Sequence, residues 1–117
     1  MKVHPREFDK PVFFDQGRFV TLKDLSGQPT LAMKLGSPEP FRKLQPKVVK
    51  ELVLKRYEKE PRNKVIHIIG FGSYSIDQLA AEVSANSNVG RLVMDKEILF
   101  INHLAKLAAE QKLEMAD

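Results

Sequence analysis

Residues 64–78 read KVIHIIGFGSYSIDQ, and the fold class turns on how this stretch is taken. Val65, Ile66, Ile68 and Ile69 form a β-branched apolar run that reads as a buried central strand. Gly70, Phe71 and Gly72 interrupt it. Ser75, followed three residues later by Gln78, has the spacing of a capping box, and Asp77 sits where the helix dipole favours an acid. The stretch is a strand–turn–helix unit, and loops at such junctions often carry function.

Toward the N-terminus, Pro46 suits the first turn of a helix, where its missing N–H costs nothing. Val49, Leu52, Val53 and Tyr57 follow at helical spacing and Pro61 ends the element, so a helix is predicted over 46–59. Gly36-Ser37-Pro38-Glu39-Pro40 denies both helix and central strand and reads as a crossover loop. Before it, Leu31, Met33 and Leu35 alternate with Ala32 and Lys34, which predicts a half-buried strand over 30–35. Strand 30–35, helix 46–59 and strand 65–69 then compose a β-α-β unit with a right-handed crossover. Val12, Phe13 and Phe14 lead into Asp15-Gln16-Gly17, and Phe19-Val20-Thr21-Leu22 lead out, so residues 11–22 are predicted to form a hairpin closed by a three-residue loop ending at Gly17. Residues 1–10 are polar, contain Pro5 and are expected to be loose.

Toward the C-terminus, Ile76, Leu79, Ala80 and Val83 mark the buried side of one helix. A second helix is predicted from about Gly90 or Arg91 to about Leu113. Its four consecutive apolar residues, Ile98, Leu99, Phe100 and Ile101, cover more than one side, so it is either deeply buried in its own domain or shared with a partner chain. The expected architecture is α/β or α+β: a small mixed sheet of three or four strands, a β-α-β crossover and two C-terminal helices. Residues 11–117 are read as a single domain behind a flexible segment 1–10.

The composition, 43% apolar and 29% charged over 117 residues, lies outside the disordered class. The absence of cysteine excludes disulfides, thiolate zinc sites and a thiol nucleophile. No apolar run is long enough to cross a bilayer and Met1-Lys2-Val3-His4-Pro5 lacks a signal-peptide core, so the expected location is cytoplasmic. The net charge of +4 is unevenly placed: residues 42–64 hold nine Lys and Arg against three Glu, a local +6 that leaves −2 for the rest. Such a field can steer an anionic partner, although a solvated helix face has the same composition.

Motifs for chemistry are sparse. Gly70, Gly72, Ser73 and Ser75 stand between a strand and a helix, the context for anion binding. A dinucleotide fingerprint needs glycine where Ser75 stands, and no Gly-Lys-Ser/Thr ending exists for a phosphate-binding loop, so a capped turn is the simpler reading. His4, His67 and His103 have no partner at metal-ligand spacing, Ser73, His67 and Asp77 lack a nucleophile elbow, and no paired carboxylates are present. Neither a catalytic constellation nor a cofactor or metal is expected. The first functional expectation is a non-enzymatic protein-interaction domain that self-associates through Ile98, Phe100, Ile101 and Leu104. The alternative is a small basic nucleic-acid-binding regulator with a helix-turn-helix-like segment at 75–104 and phosphate contacts from Lys50, Lys55, Lys59 and Arg91.

Overall fold

The computed structural model describes residues 1–116. Among them the elements run β1 (Lys2–Val3), a 3-10 turn (Pro5–Asp9), β2 (Pro11–Asp15), β3 (Arg18–Thr21), α1 (Leu22–Ser26), α2 (Pro29–Lys34), α3 (Glu39–Arg42), α4 (Pro46–Glu58), β4 (Val65–Ile68), β5 (Gly72–Ser75), α5 (Ile76–Ser84), α6 (Asn88–Ala109) and β6 (Glu114–Met115). The class is α+β. Its strands form three separate two-stranded sheets, β1 parallel to β6, β2 antiparallel to β3 and β4 antiparallel to β5.

The β-α-β crossover is therefore corrected at both ends. Residues 30–34 are helical and Leu35 is the C-cap: Pro29 stands in the first turn of α2, and Leu31 and Leu35, two of the three alternating leucine/methionine positions, also satisfy i, i+4 spacing. Met33, assigned to the same buried face as a strand residue, is 73% exposed. The run 65–69 is not a central strand. Only Ile68 of it is fully buried, whereas Val65 is 64% and Ile69 90% exposed, because β4 folds back on β5 within a small hairpin. The predicted hairpin at 11–22 forms, but with a two-residue loop. Gln16 and Gly17 both take positive φ, 52° and 80°, the mirror-image turn that matches strand twist, and the irregularity in register lies between Pro11 and Phe13. Residues 1–10, expected to be loose, carry β1 and the 3-10 turn, with Val3 and Lys10 buried.

Helix α6 is the spine of the molecule. Its N-terminal half, through Val89 and Val93, packs with Ile76, Leu79 and Val83 of α5, Val53 and Tyr57 of α4, and Ile68. Its C-terminal half, through Ile101, Leu104, Ala105 and Ala108, packs with Val12, Phe13 and Val20 of the hairpin, Leu22 and Leu25 of α1, Ala32 and Phe41. A helix with apolar neighbours on most sides needs apolar residues on most sides, which accounts for Ile98, Phe100 and Ile101, whereas Leu99 between them is exposed. Ser87 caps α6 by accepting from the Gly90 N–H at 3.0 Å, and the α5–α6 junction is so close that a Cβ at Gly90 would stand 2.1 Å from the Glu82 carbonyl oxygen. Buried Asn102 ties the helix to the loop after α2, its Nδ2 donating to the Leu35 and Ser37 carbonyls at 2.8 and 2.9 Å.

Candidate functional site

Charge is arranged in two ways in this structure, one internal and one superficial. Between the two halves of the core lies a cluster of ionised side chains. Arg56, one turn beyond Leu52 and Val53 on α4, is 1% exposed. Its Nε donates to Glu97 Oε2 at 2.9 Å, its Nη1 to the Pro11 carbonyl at 2.9 Å and its Nη2 to Glu7 Oε2 at 3.5 Å. Lys10 pairs with Glu7 and Glu60, and Glu60 also accepts from Lys64 at 3.0 Å. Burial raises the Glu60 carboxyl, but the hydrogen bonds and charges of Lys10 and Lys64 outweigh it and hold the group below its ordinary value. Neighbouring Tyr57 is pushed up, first by burial and then by the Glu97 and Glu60 carboxylates. Every carboxylate here is matched by a cation, so the cluster joins α4, α6 and the N-terminal segment instead of presenting an unmatched charge to a substrate.

The superficial arrangement is a groove between α6 and the α3–α4 corner. Two adjoining depressions of about 380 and about 580 Å³ share Phe41, Arg42, Val49 and Asp95. Their apolar lining comes from Pro38, Phe41, Val49, Met94, Ile98 and Leu99, and their rim from Arg42, Lys47, Lys50 and Arg91, with Asp95 as the one acid of the lining. The local sequence explains the shape. Pro38 and Pro40 turn the chain through the short α3, Pro46 restarts it as α4, and α6 passes alongside. Leu99, 61% exposed, is the large apolar side chain on a solvent-facing stripe that otherwise reads Arg91, Asp95, His103 and Lys106.

The residues singled out from sequence divide accordingly. Ile101 and Leu104 are fully buried and belong to the chain's own core; Ile98 and Phe100 are half-buried against it. The surface signal that the sequence offered on this helix is Leu99 instead. Of the four cations, Lys50 and Arg91 meet at the groove. Lys50 Nζ donates to the Ser84 carbonyl at 3.2 Å, and Arg91 Nη1 to the Asn86 carbonyl at 3.1 Å, so both partly serve as caps for the end of α5. Lys55 is five residues beyond Lys50, about 140° around the helix. It lies over the Phe19 ring, 5.4 Å from its centroid, and Lys59 follows it on that other side. The four do not form one patch.

The turn at Gly70, Gly72, Ser73 and Ser75 is likewise split. Gly70 and Gly72 (φ 88° and 116°) close the β4–β5 hairpin, whereas Ser75 lies at the far end of β5, its Oγ accepting from the Gln78 N–H at 3.1 Å while Gln78 returns a bond to the Ser75 N–H. The capping box is as the spacing predicts; the glycines belong to a different turn. Ser73 Oγ lies 3.1 Å from His67 Nδ1 across the strands.

No cluster of His, Asp or Glu suited to a metal ion occurs among the described residues, and no described helix is long and apolar enough to cross a membrane. The chain matches no known protein-family model, no curated protein and no solved structure, so its site stands on its own geometry.

Proposed function

We propose that this chain is a non-enzymatic, cytoplasmic protein-interaction domain that receives an acidic amphipathic helical segment of a partner in the α3–α4–α6 groove. The observation that carries this is the pairing of an apolar floor, Phe41, Val49, Met94 and Leu99, with a rim of four cations against one carboxylate. A helix laid in such a groove buries residues spaced i, i+3, i+4 and i+7 on the floor and sets its acidic flanks against the rim. Self-association through α6 draws on the apolar band Leu92 to Leu107, of which Ile101 and Leu104 lie in the chain's own core, Ile98 and Phe100 are half-buried against it and Leu99 is exposed.

The test is fluorescence anisotropy with a labelled Leu/Glu amphipathic helical peptide, against the same peptide with Lys in place of Glu. The acidic peptide is expected to bind and to weaken with salt. Leu99→Glu, or Lys47→Glu with Arg91→Glu, is expected to lower affinity about tenfold. Failure of the acidic peptide to bind, or equal binding of the two peptides, refutes the proposal.

A second reading, nucleic-acid binding, is favoured by Lys47 and Lys50 of α4 lining the same depression as Arg91 of α6. A labelled duplex measured at about 50 and about 200 mM salt tests it, because phosphate contacts must weaken steeply as salt rises. Binding indifferent to salt rules it out.

A further inference from the structure

The groove is not uniform along its length. Lys47, Lys50 and Arg91 line only the larger depression, and Pro38, Ile98 and Leu99 only the smaller. Asp95 lines both, together with Phe41, Arg42 and Val49. Arg91, Asp95 and Leu99 follow at four-residue intervals on α6, so a cation, an anion and an apolar side chain form one stripe, each about 6 Å from the next. The basic end and the apolar end of the groove therefore meet at a carboxylate.

Asp95 is exposed, and the cations of the lining are directed elsewhere. Arg42 pairs with Glu39 at 3.4 Å, Lys50 donates to the Ser84 carbonyl at 3.2 Å, and Arg91 bonds to the Asn86 carbonyl and the Asn88 side chain. While the groove is open, solvent satisfies the Asp95 charge. A helix laid across Phe41, Val49 and Leu99 displaces that solvent, and a carboxylate desolvated without a cation opposes binding strongly. A wholly apolar stripe strands it, and a Glu in the stripe adds like-charge repulsion. A Lys or Arg answers it, its stem lying along the apolar floor while its head reaches the carboxylate.

Resting on the reading of the groove as a site for an acidic amphipathic helix, we infer that the partner helix carries one Lys or Arg in the middle of its apolar stripe, set against Asp95. The partner's acids then lie about one turn away, toward Arg91, Lys47 and Lys50, and its largest apolar residues toward Leu99 and Ile98. A single polar pair inside an apolar seam also fixes register, because a shift of one turn brings the partner's cation onto Arg91 or Leu99. Asp95 is in this way a specificity residue: it selects against segments that are acidic or apolar throughout.

The experiment is fluorescence anisotropy with the full chain and four labelled helical peptides. The first is the Leu/Glu peptide; in the second and third the central Leu of its stripe is replaced by Gln or by Lys; the fourth carries the same Lys on its outer face. Each is measured against the wild-type chain and Asp95→Asn, whose fold is verified by circular dichroism. The stripe Lys is expected to bind the wild-type chain about tenfold more tightly than the stripe Gln, and the outer Lys is expected to give no such gain. Asp95→Asn should abolish the preference for Lys over Gln, and should weaken the stripe-Lys peptide while tightening the Leu/Glu peptide. Effects of opposite sign on two ligands are not produced by a general loss of structure. If the Leu/Glu peptide binds but the stripe Lys gains nothing over Gln, or its gain survives Asp95→Asn, this inference falls and the groove reading stands. If no peptide binds the wild-type chain, both fall together.

Discussion

Arg56 of α4 donates from Nε to Glu97 Oε2 of α6 at 2.9 Å, and this pair lies where the two halves of the core meet. Arg56 is 1% exposed, so removing it leaves Glu97 facing a partly desolvated gap and Pro11 with an unpaired carbonyl. Arg56→Ala is expected to cost about 3–5 kcal/mol. Arg56→Met combined with Glu97→Leu is expected to cost less than the sum of its single substitutions, because each single change strands the other partner. Urea unfolding of the four chains in a double-mutant cycle measures this; strict additivity refutes the coupling.

Much of the secondary structure was legible because local chemistry and tertiary packing agree. Gly17 closes a hairpin, Pro46 opens α4, and Ser75 with Gln78 caps α5 as their spacings require. The misreadings have physical causes. Leu31, Met33 and Leu35 satisfy period two over six residues, but Leu31 and Leu35 equally satisfy a helical turn, and Pro29 decides for the helix. The run 65–69 is apolar enough for a central strand, yet hydropathy carries no record of whether a strand finds two neighbours or one. The ion cluster was hidden for a related reason. Glu7, Lys10, Arg56, Glu60 and Glu97 are scattered along the chain, and Arg56 is the one fully buried cation of a basic segment whose other Lys and Arg are half-buried or exposed. Sequence displays charge, whereas burial depends on which elements meet. The groove is not written in the sequence either, since Arg42, Lys47 and Arg91 come together only when α3, α4 and α6 pack.

Glu60 gives the ion cluster a pH signature. Its folded pKa is held below the ordinary value of 4.5 because Lys10 and Lys64 outweigh its desolvation. The unfolded chain then binds a proton at higher pH than the folded chain, so stability is present above the unfolded value and is lost as pH falls through the folded one. Denaturation midpoints measured from about pH 7 to about pH 3 should decline at the acid end. Glu60→Gln should start lower at neutral pH, because buried Lys10 loses one carboxylate, and should decline less. An unchanged acid limb in that variant contradicts the assignment.

Tyr57 acts at the opposite end of the scale. Burial, with Glu97 next, raises its phenol above the ordinary value of 10.0, so the folded state retains the proton that the unfolded chain releases. Its contribution is fully present below about pH 10 and is lost progressively above it. Tyr57→Phe keeps the ring in the core beside Val53 and Leu79 and is expected to leave neutral stability within about 1 kcal/mol. It should also reduce the loss of stability at alkaline pH. Thermal unfolding of both chains at matched alkaline pH checks this, and parallel pH profiles refute it.

Two glycines make contrasting tests of the close approaches to α6. A Cβ at Gly90 would meet the Glu82 carbonyl oxygen at 2.1 Å and its carbon at 2.6 Å, both backbone atoms of α5 that cannot move alone. Gly90→Ala is expected to destabilise by about 1–3 kcal/mol or more, outweighing the gain of up to about 1 kcal/mol in helix propensity. A Cβ at Gly36 would meet Lys106 Cγ at 2.9 Å and the Met33 carbonyl oxygen at 3.4 Å; the lysine stem must shift but belongs to a side chain that can rotate, so Gly36→Ala is expected to destabilise less than Gly90→Ala, by about 1 kcal/mol. Equal effects at the two positions would mean that α5 and α6 are not so tightly apposed.

Leu99 and Ile101 lie two residues apart on α6 and should behave oppositely. Ile101 is fully buried among the hairpin, α1 and α2, and Ile101→Ala is expected to cost about 2–5 kcal/mol through lost burial and the cavity left behind. Leu99 is 61% exposed at the groove, and Leu99→Glu is expected to alter stability by no more than about 0.5 kcal/mol. The separation matters because it allows a binding defect in Leu99→Glu to be read as loss of contact, with the scaffold intact. Chemical denaturation of both variants measures the difference. A large stability loss in Leu99→Glu would show that its side chain serves the fold, and would remove Leu99 as a clean probe of the groove.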